Sequence, residues 1–264
     1  TNANGTVAIG SDALAALTSG AGNIAIGYEA LDAVTTGSQN IAIGYQAADS
    51  VLAAYASNIG IGSNSLGGSH TGTASIRNVA VGEDTLAGAM NDSDNNVAIG
   101  WTALTALTTG DQNVVIGSSA GDSLTSGSGN VAIGAATMGS STDVDNGVFI
   151  GKDAGGSNMT SAADGSILIG KDAGAAITSG IGNLAIGANA LDAAATSDYN
   201  TAVGGNALSA VNGDGTGANT GVGYNALASC TNGVHNVAIN VDALSGLTTG
   251  DDNIAIGFNA GGGL

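Results

Sequence analysis

The sequence has no proline, one cysteine, three basic residues and few aromatics (two Phe, five Tyr, one Trp) among its 264 residues. Lacking proline and any Gly-X-Y period, it is not collagen-like. The single Cys230 permits no intrachain disulfide and leaves the redox compartment open. So few large rings argue against an ordinary aromatic-filled core. Three cations cannot neutralise many phosphates, so nucleic acid and anionic membrane surfaces are poor partners. Charged residues make up 9 % of the chain, against about 25 % in a typical globular domain. Long apolar runs are missing too: uncharged stretches such as 123–142 are rich in Ser, Gly and Thr, so no membrane insertion is expected. The start at Thr1 shows no basic-then-apolar leader, so any export signal is expected to have been removed or to lie outside this chain.

What the chain does have is glycine, alanine, acid and a period. There are 46 glycines, and 21 acids give a net charge of -18. A segment of the form Asn-Ile-Ala-Ile-Gly recurs fifteen times. Its glycine falls at 10, 27, 44, 62, 82, 100, 117, 134, 151, 170, 187, 204, 223 and 257, with Asn240 in the remaining copy. Spacings run from 17 to 20 residues, too short for helical repeats or propeller blades. They suit one coil of an all-β solenoid or β-roll, each coil hydrogen-bonded to the next. Fifteen coils at ~4.8 Å per coil predict one repeat domain over 1–264, a rod about 70 Å long.

Each column of the repeat has a physical task. The residue before the glycine is always Ile or Val, and the residue two earlier is mostly so, broken only by Leu184, Thr201 and Thr220. Period-2 alternation places these two columns on one face, taken here as the core side. The glycine is read as a corner needing positive φ, which Asn240 tolerates best among other residues. At the head of the strand stand Asn23, Asn40, Asn58, Asn78, Asn96, Asn113, Asn130, Asn183, Asn200, Asn219, Asn236 and Asn253. Stacked in register, they are predicted to form a structural ladder of amides. The Leu pairs 14/17, 104/107 and 244/247 predict a helical turn or bent segment in the second half of the coil. Length variation falls in that half, as in the stretch from Gly67 to Arg77, and is expected to form loops on one face.

Between the two Ile/Val columns runs a column of small residues: Ala8, Ala25, Ala42, Ala80, Ala98, Ala132, Ala185, Ala202, Ala238 and Ala255. If the Ile/Val columns face inward, these face outward, and a stripe of exposed alanine marks a self-association face. The expected partner is therefore the chain itself, in a parallel bundle or an end-to-end polymer.

The units Asn-Ile-Ala-Ile-Gly-Tyr-Glu-Ala-Leu-Asp-Ala-Val-Thr-Thr-Gly (23–37) and Asn-Val-Ala-Ile-Gly-Trp-Thr-Ala-Leu-Thr-Ala-Leu-Thr-Thr-Gly (96–110) resemble the repeats of phage tail-fibre-like proteins. They are also similar to the head repeats of trimeric autotransporter adhesins. The resemblance implies a homotrimer of left-handed β-rolls, an extracellular fibre or adhesive filament on a virion tail or bacterial surface, and contact with a cell-surface glycan or receptor through the turns. The coiled-coil stalk, membrane anchor and self-cleaving chaperone domain of those families are not recognisable in this sequence.

Catalytic chemistry has little to stand on. His70 and His235 fall in turns, and Ser and Asp are too common for a triad by spacing to carry weight. No enzyme activity and no catalytic residue are expected. No cofactor is expected either. Calcium is the one metal the sequence suggests, through the clustered carboxylates Asp92, Asp94, Asp143 and Asp145, although the EF-hand spacing is missing. The alternative function is an ice-binding or other surface-binding monomeric solenoid, suggested by Thr35-Thr36 and Thr108-Thr109.

Overall fold

A computed structural model describes residues 3–50, 56–69, 75–213 and 215–264. The chain forms two compact units, Thr1–Gly129 and Asn130–Leu264. The first contains β1 (Val7–Ile9), β2 (Ile24–Ile26), β3 (Ile41–Ile43), β4 (Ile59–Ile61), β5 (Val79–Val81), β6 (Val97–Ile99) and β7 (Val114–Ile116). The second contains β8 (Val131–Ile133), β9 (Val148–Ile150), β10 (Ile167–Ile169), β11 (Leu184–Ile186), β12 (Ser197–Asp198), β13 (Thr201–Val203), β14 (Gly215–Thr216), β15 (Thr220–Val222), β16 (Val237–Ile239) and β17 (Ile254–Ile256). Each unit is a parallel β-solenoid. The three-residue strands pair in strict register with the next coil, as in Val7↔Ile24, Ala8↔Ala25 and Ile9↔Ile26. The short strands β12 and β14 pair in the return half of their coils.

The corner after each strand carries positive φ, 142° at Gly27 and 101° at Asn240. A Cβ on Gly27 would lie 2.1 Å from the Gly44 carbonyl oxygen, so both the dihedral and the neighbouring coil require glycine there. The second half of the coil is a run of turns and not a helix. Leu17 N–H donates to Leu14 O at 3.1 Å, and the equivalent bonds join Leu107 to Leu104 and Leu247 to Leu244. Three positions per coil sit in the left-handed region, as at Glu29 (φ 54°), Leu31 (φ 53°) and Gln39 (φ 61°). Their N–H groups reach the next or previous coil: Leu31 N donates to Ala47 O and Glu29 N to Ser11 O. The strain of left-handed leucine is thereby held by inter-coil hydrogen bonds.

The orientation of the strand is the reverse of that expected from sequence. Ala25, Ala42, Ala80, Ala98, Ala132, Ala185, Ala202 and Ala238 are fully buried inside their own coils, while the flanking Ile and Val point outward. Ala8 and Ala255, in the first and last coils, are exposed and half-buried but lie in the same register. These ten alanines are therefore not a self-association face. The physical reason is width. A coil this narrow is filled from its return half by residues such as Ala30, Leu31 and Val34, and what remains opposite them accepts only a small side chain. Alternation specifies two faces, and only packing volume decides which is inside.

Candidate interaction surface

The outward columns form a ruled apolar strip on each unit. Ile61 and Ile99 on the first unit, and Ile167 and Ile239 on the second, keep 37–39 % of their surface exposed although coils stack on both sides. Most other Ile and Val of these columns are half-buried by their stacked neighbours. Beside this strip, immediately after the corner glycine, stand Tyr28, Tyr45, Trp101, Tyr224 and Phe258, all exposed. Tyr28 and Tyr45 stack with ring centroids 5.3 Å apart and planes 14° from parallel. The neighbouring Glu29 carboxylate pushes the Tyr28 pKa up.

One residue further on lies a polar column in the left-handed conformation. Its side chains are tied sideways: Gln46 Nε2 donates to Glu29 (2.7 Å), Asn64 Nδ2 to Asp84 (2.7 Å) and Asn225 Nδ2 to Asp242 (3.0 Å). Amides alternating with acids bridge what would otherwise be stacked like charges. In the return half, burial pushes the Asp32 and Asp49 carboxyls above the ordinary range, and at Asp32 the Asp49 charge adds to it.

The asparagine ladder is internal. Asn23, Asn40, Asn58, Asn78, Asn96, Asn113, Asn130, Asn183, Asn200, Asn219 and Asn236 are buried, and only Asn253, in the last coil, is half-buried. Asn96 shows the pattern: its Oδ1 accepts from Asn113 N (2.9 Å) and Asn113 Nδ2 (3.0 Å), and its Nδ2 donates to Gly110 O (2.9 Å). On the first unit the chain of amides is continuous. Asn23 Oδ1 accepts from Asn40 N (3.0 Å), Asn40 Oδ1 from Asn58 N (3.0 Å), Asn58 Oδ1 from Asn78 N (2.8 Å) and Asn78 Oδ1 from Asn96 N (2.9 Å). On the second unit Asn183 Oδ1 accepts from Asn200 N (2.9 Å), Asn200 Oδ1 from Asn219 N (3.1 Å), Asn219 Oδ1 from Asn236 N (3.0 Å) and Asn236 Oδ1 from Asn253 N (3.0 Å). The side-chain amides also close the turn of their own coil, as where Asn78 Nδ2 donates to Ser93 O (2.7 Å) and Asn219 Nδ2 to Gly233 O (2.8 Å). Amide groups with this many partners are committed to structure and have nothing left for a ligand.

The carboxylates singled out for calcium are spread over different tasks. Asp94 Oδ1 accepts from Ile76 N (2.7 Å) and its Oδ2 pairs with Arg77, while Asp94 N donates to Asp111 Oδ1 (2.6 Å). Asp145 N donates to Asp164 Oδ1 (2.8 Å), Asp143 accepts from the Thr142 hydroxyl, and Asp92 is exposed. Among the described residues, no three His, Cys, Asp or Glu side chains come together around a point where a metal ion could sit. Asp94, Asp111, Asp164, Asp198 and Asp251 instead cap backbone N–H groups of the preceding coil, a use that their recurrence in one column of the repeat could have signalled.

His235 Nδ1 lies 3.5 Å from Asp252, and His70 lies outside the described residues. Cys230 is buried, and desolvation pushes its thiol up, which makes it a poor nucleophile. Thr18 and Thr108 hydroxyls donate to the carbonyls of Thr35 and Thr125 in the next coil, both at 2.8 Å. No described helix is long and apolar enough to cross a membrane. The exposed aromatic column is missed by a reading that takes each ring singly and not by its place after the corner glycine. The chain matches no protein-family model and no curated protein.

Proposed function

We propose that this protein is a non-catalytic structural element of an extracellular fibre or surface filament, and that copies of the chain associate through the Ile/Val strip. The observation that carries the reading is the strip itself: two columns of β-branched residues, free of charge and ruled at the coil spacing, on a chain of net charge -18. A contiguous exposed apolar face of this regularity marks an interface. Its ruling matches that of a second copy, as sheets pack when their side chains interdigitate at a common pitch. A trimer on a virion tail or bacterial surface is the assembly that the repeat units imply by resemblance.

The ice-binding alternative is weakened by the threonine hydroxyls of the return turn, several of which are spent on the next coil and are not free to order water. Light scattering on the purified chain tests the proposal. We expect a mass of about three chains that falls to one when Ile43 and Ile99 are both replaced by lysine. A monomeric wild-type chain at micromolar concentration overturns it.

A further inference from the structure

On the first unit, the column after the corner glycine runs Tyr45, Ser63, Glu83, Trp101 over four successive coils. Tyr45 and Trp101 are each 55 % exposed, and Glu83 is exposed between them. Ser63 is small, so the coil between Tyr45 and Glu83 forms a shelf bounded by a ring on one side and a carboxylate on the other. Two coil spacings separate those walls at the backbone, about 10 Å. The shelf is built on fixed backbone: Asn64 N donates to Tyr45 O (2.9 Å), Asp84 N to Ser63 O (3.0 Å) and Thr102 N to Glu83 O (3.0 Å). Asp84 adds a second carboxylate on the same coil, steadied by Asn64.

Among the described residues, no cation pairs with these two acids. The chain's Lys and Arg residues are Arg77, Lys152 and Lys171, which pair with Asp94, Asp153 and Asp172, and His235 lies against Asp252. Aromatic faces beside uncompensated carboxylates recognise one ligand chemistry above others. A cation with an apolar shell is drawn to the ring quadrupole within about 6 Å and keeps a counter-charge alongside. The field of a strongly acidic chain repels anionic ligands from the same place.

We propose that the shelf over Ser63, walled by Tyr45 and Glu83 with Trp101 one coil beyond the carboxylate, is a binding site for a soluble alkylated ammonium ion of the choline type. The site goes beyond the self-association reading and does not depend on it. Trp101 is the only tryptophan in the chain, so its emission reports the site without interference.

The test titrates the full chain with choline chloride against potassium chloride at equal ionic strength. Binding is followed by Trp101 fluorescence and by line broadening of the choline methyl resonance. A saturable response to choline alone is expected, with affinity about five- to tenfold weaker in Glu83→Gln and in Tyr45→Ala. Both variants are expected to keep the wild-type circular dichroism and solution mass. The proposal is overturned by equal responses to choline and potassium, by unchanged affinity in both variants, or by equal saturation with methyl glucoside. Binding to phosphatidylcholine vesicles without response to free choline overturns the assignment to a soluble ion. A drop in mass on Tyr45→Ala assigns the ring to self-association and overturns it as well.

Discussion

Two kinds of coil fill the same space in different ways. In the common kind, the strand centre is Ala and the residue six further on is Leu, as in Ala25/Leu31, Ala98/Leu104 and Ala202/Leu208, all buried. In the other kind the volumes trade places: Val115 with Gly121, Phe149 with Gly155 and Leu168 with Gly174. A Cβ on Gly155 would meet Phe149 Cδ1 at 2.9 Å, and one on Gly174 would meet both Leu168 methyls at 2.7 Å. Phe149 displaces a second column too. Gly147 stands where the amide ladder would have Asn, because a Cβ there would lie 2.3 Å from the Phe149 ring. The core therefore conserves volume within each coil while leaving the residue that supplies it free to change.

Substitutions can break this compensation or restore it. Phe149→Ala leaves the largest cavity and is expected to cost about 3–5 kcal/mol in denaturant unfolding. Adding Gly147→Asn and Gly155→Leu rebuilds the common coil, and the triple variant is expected within about 1 kcal/mol of wild type. Three independent losses that simply add would refute volume trading. In the common coils, Asn96→Ala strands the buried Asn113 N–H and leaves the Gly110 carbonyl with the Ser93 hydroxyl alone. It is expected to cost about 2–4 kcal/mol, against under about 1 kcal/mol for the half-exposed Asn253→Ala. Gly155→Leu alone overpacks the Phe149 coil and is expected to cost about 1–3 kcal/mol.

The smallest effect concerns acid. The common coil of Ala25 and the next coil, of Ala42, place Asp32 and Asp49 in the return half, where the Phe149 and Leu168 coils have Gly156 and Ala175. Both carboxyls have folded pKa values above their unfolded ones, so the folded state binds protons more readily. Their contribution to stability is full below the unfolded carboxylate range, near pH ~3.9, and is lost as pH rises through the folded values. The thermal midpoint should rise as pH falls from ~7 toward that range. Asp32→Asn with Asp49→Asn should flatten the rise, and a fall in midpoint with acid would contradict this sign.

Much of the fold is legible in the sequence because solenoid coils repeat one set of constraints. The period, strand position, corner glycine and amide ladder each follow from a column whose chemistry allows few alternatives. The inside and outside of the strand do not follow, because Ile-Ala-Ile satisfies alternation in either orientation and only the buried Leu31 column, placed by two left-handed residues, settles it. Left-handed leucine has no signal in single-residue preferences. The ring-and-carboxylate shelf is equally hidden. Tyr45 and Glu83 are far apart in the chain and fall in one column, two coils apart, only because the strands pair in register across steps of 18 and 20 residues.

The hydrogen bonds that join the coils, such as Gly27 N to Ile9 O and Gly44 N to Ile26 O, run parallel to the stacking direction. Tension applied along that direction loads them one coil at a time. Each 17-residue coil that gives way lengthens the tether from ~4.8 Å to roughly 55–60 Å. The coils behind it keep their register, since these bonds each span a single step. Under a pulling load each unit therefore behaves as a row of small fuses, yielding length one coil at a time and dissipating work at each before the whole gives way.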